Sequence, residues 1–95
     1  MDLGKGIKHL RKLRGTTQKD FSSDVGITQS YLSQIEKGRK EPSMEVLSTI
    51  SKHLGVPMPV LFWFTMTELD VPKHKREIFK QLKPAVDMLI DSFFN

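Results

Sequence analysis

The chain has 95 residues, of which 38% are hydrophobic and 27% charged, and it contains no cysteine. This length predicts one domain with a single core, and the lack of cysteine excludes disulfides, thiol catalysis and cysteine-ligated metal. No apolar run approaches the roughly 20 residues that span a membrane, and the first twelve residues lack the apolar stretch of a signal peptide. We therefore expect a cytoplasmic protein without a membrane partner.

The net charge of +4 is unevenly distributed along the chain. Residues 1–15 carry five cationic side chains and one carboxylate, whereas residues 67–95 balance five cations with five anions. A basic surplus confined to one part of a small domain is typical of a protein that binds a polyanion. A solvated basic face without a partner is the alternative that charge alone leaves open.

Five helices are predicted in the first two thirds of the chain. Apolar positions recur three or four residues apart, capping residues such as Thr17, Thr28 and Ser43 precede the helices, and glycine or proline follows them. The predicted spans are 4–13, 18–25, 29–37, 44–54 and 60–64. Leu13 and Met44 are expected to be buried, and residues 56–59 to be extended, because two of them are prolines. Short connections without strand alternation predict an all-α five-helix bundle in residues 1–66.

Residues 67–95 are predicted to form a linker, 67–72, followed by a C-terminal helical segment. Within that segment apolar residues form a heptad-like stripe, namely Phe79, Leu82, Val86, Leu89 and Phe93. Pro84 interrupts the stripe and predicts either a kinked helix or two helices.

The apolar stripe is expected to be buried against another surface, and so is the aromatic cluster of Phe62, Trp63 and Phe64. It could fold back on its own bundle. Since the bundle is nearly complete at Leu61, the pattern favours a homodimer interface made by the stripe together with this aromatic cluster.

Residues 17–38 contain two short helices separated by a tight turn at Gly26, which can adopt positive φ. On the second of these helices Leu32 and Ile35 share one face, while the opposite face carries only amides and hydroxyls, from Gln29, Ser30, Ser33 and Gln34. Glutamine is a natural partner for the adenine edge in the DNA major groove.

This pattern resembles the helix-turn-helix of the lambda-repressor-like (Cro and xenobiotic-response-element) family of bacterial and phage regulators. The resemblance covers residues 7–61 and includes Arg11, Thr17-Gln18, the run from Gly26 to Gly38, Pro42-Ser43 and residues 54–56. Phe21-Ser22 departs from the usual leucine and alanine.

The resemblance implies a regulator that binds double-stranded DNA as a dimer, with the helix over residues 28–37 in the major groove. Base contacts are implied for Gln29, Ser30, Ser33 and Gln34. Phosphate contacts are implied for Thr17, Gln18, Tyr31, Lys37, Arg39 and Lys40, although Tyr31 could equally belong to the core and residues 37–40 could be merely a solvated loop. Arg11 and Glu36 match a structural ion pair of the family.

Other classes of protein have less support in the sequence. His9, His53 and His74 lie far apart without a catalytic or metal-binding spacing, and no glycine-rich phosphate loop follows a strand. We therefore expect no enzyme activity, metal, cofactor or small-molecule effector. The remaining alternatives are a protein-binding adaptor, or an antitoxin whose C-terminal aromatic helix engages a partner protein.

Overall fold

The computed structural model describes residues 1–94, so the last residue of the predicted C-terminal element lies outside the described residues. Its regular structure over this range is helical, which confirms the predicted all-α class. The α-helices are α1 (Leu3–Leu13), α2 (Gln18–Val25), α3 (Gln29–Glu36), α4 (Met44–Leu54), α5 (Met58–Thr65) and α6 (Arg76–Phe94), with two short 3₁₀ turns at Glu68–Asp70 and Lys73–Lys75.

Side-chain caps fix where the first four helices begin. The side chains of Asp2, Thr17, Thr28 and Ser43 each accept a hydrogen bond from a backbone N–H in the first turn of the helix that follows. The predicted spans of α2 and α4 are therefore confirmed to the residue, and those of α1 and α3 to within one residue.

Helix α5 begins two residues earlier than predicted. Met58 and Pro59 belong to the helix, with Pro57 in the N-cap position, so the prediction of an extended entry through residue 59 was wrong. Proline is tolerated in the first turn of a helix because the N–H it lacks would have no intrahelical partner there.

The core lies between the first five helices. Helix α1 packs against α3 and α5, while α2 packs against α3 and α4, and α4 also contacts α5. The buried apolar side chains are those of Ile7, Leu10, Phe21, Leu32, Ile35, Leu47, Ile50, Leu54, Val56, Leu61 and Phe64. Leu13 and Met44, predicted to be buried, are exposed; Leu13 is the last residue of α1 and Met44 the first residue of α4.

Glycine allows α1 to approach its neighbours closely, a role that the sequence did not reveal. A β-carbon on Gly4 would collide with the carbonyl oxygens of Ile35 and Glu36 at the end of α3. On the other side of α1, a β-carbon on Gly6 would lie 2.7 Å from the side chain of Thr65. Contact with the backbone of α3 at Gly4, and with the Thr65 side chain and the Phe64 carbonyl of α5 at Gly6, sets the distance between α1 and the two helices it packs on.

Helix α6 is continuous through Pro84, so the chain forms one C-terminal helix and not two. The predicted linker is partly ordered by Thr67 and Asp70, whose side chains cap the first 3₁₀ turn reciprocally. Within the described chain no helix has the length and apolar character needed to cross a bilayer.

We predict that Gly4→Ala lowers the stability of the fold, because the added methyl group must push α1 away from the end of α3. Overpacking of this kind costs about 1–3 kcal/mol, and each kcal/mol lowers Tm by about 4–8 °C in a domain of this size. Thermal unfolding followed by circular dichroism measures the effect, with Lys8→Ala, on the exposed side of the same helix, as the matched control. Equal melting temperatures for the two variants would contradict the close approach.

Candidate nucleic-acid interface

Two capped helices and a glycine turn make up the unit formed by α2 and α3. The Thr17 hydroxyl accepts from the N–H of Asp20 at 3.1 Å, and the Thr28 hydroxyl accepts from the N–H of Tyr31 at 3.0 Å. Between the helices Gly26 has φ of +86°, a left-handed conformation that favours glycine. Each cap satisfies one of the backbone N–H groups that lack an intrahelical partner at the start of its helix.

Helix α3 divides into a buried and an exposed side, as its sequence predicts. Leu32 and Ile35 are buried in the core, whereas Gln29 and Ser30 at the first turn are exposed. Ser33 and Gln34, one turn further, are only partly exposed. The N-terminal turn of α3 is therefore its most accessible part, and it presents uncharged hydrogen-bonding groups.

A buried ion pair connects α1 to the end of α3. Arg11 donates from Nε and Nη2 to the two carboxylate oxygens of Glu36, at 2.7 and 2.9 Å. The side chains of Arg11 and Glu36 are only 7% and 2% exposed. This bidentate geometry is the strongest form of the arginine–carboxylate contact, and the structure thus contains the pair that the family resemblance implies.

The same pair also holds the start of α2, which the sequence did not predict. Gln18 donates from its side-chain amide to Glu36 Oε1 at 3.0 Å, and Arg11 donates from Nη1 to the carbonyl of Thr16 at 2.8 Å. The residues before and at the first turn of α2 are therefore fixed relative to α3. The Gln18 amide group has two N–H donors, and this contact accounts for one of them.

Cationic side chains follow α3 directly. Lys37, Arg39 and Lys40 are all exposed, and Gly38 between them has φ of +75°. The backbone N–H groups of Arg39 and Lys40 both donate to the carbonyl of Gln34, at 2.9 and 3.3 Å. The loop therefore folds back on the end of α3, and its three cations project from a backbone that hydrogen bonds define.

The remaining predicted phosphate residue, Tyr31, is partly buried and packs against the core, so its ring is in part structural.

The basic N-terminal segment is only partly available to a partner. Arg11 is buried in its ion pair, and Arg14 donates from Nε to the carbonyl of Leu54 at 2.8 Å. Lys5, Lys8 and Lys12 are exposed along α1. Of the five cations in this segment, Arg11 is thus neutralised by a carboxylate within the fold, whereas the hydrogen bond of Arg14 to a carbonyl restricts the position of its side chain.

The residues predicted to form a dimer interface differ in how far their own chain covers them. Phe64 is buried in the core of its own chain, and the rings of Trp63 and Phe79 lie 6.0 Å apart within one chain. Leu82, Leu89 and Phe93 are exposed. Phe62 and Val86 are partly buried. Part of the stripe therefore packs on its own bundle, which was one of the two alternatives, and the rest of it is exposed to solvent.

Among residues 1–94, no three histidine or carboxylate side chains come together in a way that could hold a metal ion.

Helices α2 and α3 are both capped, are separated by a glycine turn and expose the polar first turn of α3 on the surface of the five-helix bundle. This arrangement defines a helix-turn-helix domain. The sequence profile described as helix-turn-helix matches residues 7–61, and the chain belongs to this family of lambda-repressor-like, DNA-binding transcriptional regulators. The match covers the same residues as the resemblance seen in the sequence.

Named relatives agree with this assignment. The transcriptional regulator ClgR of Mycobacterium tuberculosis is 39% identical over 59 residues, which are 62% of this chain and 53% of that protein. The immunity repressor protein of Bacillus phage phi105 is 28% identical over 97 aligned residues, covering 90% of this chain and 67% of the repressor. The chain thus spans about half the length of the first of these relatives.

Two solved structures of ClgR from Corynebacterium glutamicum share the fold. One superposes with a TM-score of 0.65 at 28% identity, over 67% of this chain and 83% of the other. The second has a TM-score of 0.66 at 21% identity over 99% of this chain and 93% of the other, and at that identity it shows the fold alone. The latter superposition extends over the C-terminal part as well as the five-helix core.

We predict that Glu36→Ala destabilises the domain by about 3–5 kcal/mol, because it leaves the Arg11 guanidinium buried without a counter-charge. Urea unfolding measures the loss, with Glu41→Ala, which removes an exposed carboxylate, as the control.

The double variant Arg11→Met/Glu36→Leu should be more stable than Glu36→Ala, since an apolar pair carries no buried charge. A double variant less stable than the single one would show that the hydrogen bonds to Thr16 and Gln18, and not the charge pairing, dominate this contact.

Proposed function

We propose that this protein is a sequence-specific regulator of transcription that binds double-stranded DNA as a homodimer and acts as a repressor. In this proposal α3 enters the major groove with its N-terminal turn first, and α2 lies across the sugar-phosphate backbone.

The observation that supports this most directly is the exposure of Gln29 and Ser30 on the first turn of α3. These groups stand on a helix whose opposite side is anchored in the core by Leu32 and Ile35. Glutamine can bond an adenine with both its amide oxygen and its amide nitrogen, and serine can act as donor or acceptor. Ser33 and Gln34 extend the same side and are proposed as additional base contacts.

Phosphate contacts are proposed on both sides of α3. Before it, Thr17 and the second N–H of Gln18 lie at the start of α2, where the helix dipole favours an anion. After it, Lys37, Arg39 and Lys40 supply positive charge, with Tyr31 as a further hydroxyl donor. Such contacts determine affinity and its dependence on salt, whereas base contacts determine sequence preference.

The repressor role takes its support from the phage phi105 immunity repressor, which aligns over 90% of this chain. The homodimer takes its support from the exposed apolar side chains of α6. A single small domain with a few base contacts rarely reaches the affinity of a specific regulator, and two copies on half-sites about 34 Å apart combine their binding energies.

Selection from random duplexes at about 0.15 M salt tests the function, because phosphate binding alone enriches no sequence. We expect an inverted-repeat consensus. On that duplex Gln29→Ala should lose about 1–3 kcal/mol of specific binding and keep its non-specific binding. Gln81→Ala, an exposed glutamine of α6, is the matched control, and Lys40→Ala should weaken binding to every duplex alike.

A selection that enriches no sequence would overturn the proposed function. If sequences are enriched but Gln29→Ala binds all duplexes as weakly as Lys40→Ala does, Gln29 contacts the backbone and does not read bases.

We predict that Phe93→Asp shifts the protein from dimer toward monomer, because it places a carboxylate on the exposed apolar side of α6. Sedimentation equilibrium measures the mass. The control is Met88→Asp, which adds the same charge at a similarly exposed position on a different side of α6. An unchanged mass for Phe93→Asp would show that this side of α6 does not hold the dimer.

A further inference from the structure

Helix α6 has two apolar sides, and its own bundle covers only one of them. On the covered side Trp63 donates from Nε1 to Asp87 at 2.7 Å, and Lys83 lies over the rings of Trp63 and Phe64 with its Nζ 5.3 and 5.5 Å from their centroids. Ile90 and Phe94 pack against the core beside them. These contacts attach α6 through one face along most of its length.

The start of α6 is attached by polar contacts. Lys80 forms an ion pair with Glu68 at 3.0 Å, and hydrogen bonding to this carboxylate raises the pKa of Lys80. Arg76 donates from Nε to the carbonyl of the same Glu68 at 3.0 Å. Both contacts lie on the side of α6 that meets the first 3₁₀ turn.

The other side of α6 carries a continuous exposed apolar stripe, which we call the outer stripe and which consists of Ile78, Leu82, Ala85, Leu89 and Phe93. These residues follow one another at intervals of four, three, four and four, the helical spacing that aligns side chains on one face. Their exposure reaches 72% at Leu89 and 81% at Phe93. Large apolar side chains in a row at such exposure are typical of an interface.

The outer stripe has nearly the same order of side-chain sizes when it is followed in either direction. From its midpoint, between Ala85 and Val86, Leu82 and Leu89 lie at equal distances along the chain, and Ile78 and Phe93 lie at equal distances further out. A second copy of α6 running in the opposite direction would therefore place Leu82 against Leu89 and Ile78 against Phe93. The small Ala85 at the centre lets the two helices come close where they cross.

Charge along α6 also favours opposite directions. The helix has three cations and one carboxylate before Pro84, and two carboxylates without a cation after it. Lys80 is paired with Glu68 and Lys83 with Asp87 of the same chain, which leaves Arg76 and Asp91 as the opposite charges that a second copy can bring together. Antiparallel pairing sets the basic start, with Arg76, near the acidic end, with Asp91, of the other copy. Parallel pairing would place like charges and like ends of the helix dipoles side by side.

From the stripe and the charge together we infer that two copies of this chain pair through the outer stripes of α6 in antiparallel orientation, about a twofold axis next to Ala85. This inference rests on the homodimer of the proposed function and specifies its geometry. Each outer stripe is then the partner of the same stripe on the other chain, as a closed twofold dimer requires.

Engineered cysteines test the orientation cleanly, because the chain has none of its own. The single variants Ile78→Cys, Ala85→Cys and Phe93→Cys are exposed to mild oxidation, with Lys52→Cys, on the surface of α4, as the control for chance collision. A disulfide forms only when the β-carbons approach to about 4 Å. In the antiparallel dimer the two copies of position 78 are about 22 Å apart, from a rise of about 1.5 Å per residue.

We expect Ala85→Cys to form a cross-linked dimer by itself. Ile78→Cys and Phe93→Cys should each stay uncross-linked alone and should form a mixed dimer when the two proteins are combined. Self-cross-linking of Ile78→Cys as fast as that of Ala85→Cys would overturn the inference in favour of a parallel pair. Cross-linking of all variants no faster than Lys52→Cys would overturn it by showing that this face does not pair.

The cross-linking is done without DNA, so its failure is separate from failure of the proposed function. If the chain binds an enriched duplex in a Gln29-dependent manner but forms no antiparallel cross-link, the proposed DNA-binding function is supported and only the antiparallel dimer is rejected. If the chain cross-links as expected but the selection enriches no sequence, the antiparallel dimer is supported and the proposed DNA-binding function is rejected.

Discussion

The contact between Arg11 and Glu36 is the constraint on which the geometry of the candidate interface depends. Glu36 is the last residue of α3, and its carboxylate accepts from Arg11 on α1 and from Gln18 on α2. Three helices thus meet at one buried carboxylate. Because such a pair is costly to desolvate, it adds little net stability compared with an apolar contact, but any movement that separates its members leaves a buried charge unpaired. It therefore restricts the angle between α3 and the other helices, and with it the orientation of the exposed first turn of α3.

Much of the core fold follows from local signals in the sequence. Thr17, Thr28 and Ser43 begin their helices through side-chain bonds that involve residues only three positions away, and for this reason the boundaries of α2 and α4 were predicted correctly. The error at α5 came from treating Pro59 as a helix breaker, when its position in the first turn made it compatible with the helix. The collision that Gly4 avoids involves residues of α3 more than thirty positions away, and no local pattern in α1 distinguishes it from a flexible glycine.

The exposure of the candidate site was predictable from the sequence, whereas its hydrogen bonds were less so. The motif located Gln29 and Ser30, and the structure finds both exposed on the first turn of α3. It also identified Gln18 without revealing that this side chain bonds Glu36, since that contact depends on how α2 and α3 cross. For α6, the sequence did not indicate which side of the helix is buried. Its apolar arc is wide enough to cover the bundle and to leave a second surface bare, so periodicity could not assign Phe79 to the inside and Leu82 to the outside.

The hydrogen bond from Trp63 to Asp87 gives the protein a built-in optical reporter. Trp63 is the single tryptophan of the chain, and its indole is held by a residue of α6 and covered by Lys83 and Phe79 of the same helix. Detachment of α6 would expose this indole to water while Leu61 and the rest of the core remained packed. A change in tryptophan emission that precedes the loss of helical circular dichroism would then report release of the C-terminal helix as a step distinct from global unfolding, without any added label.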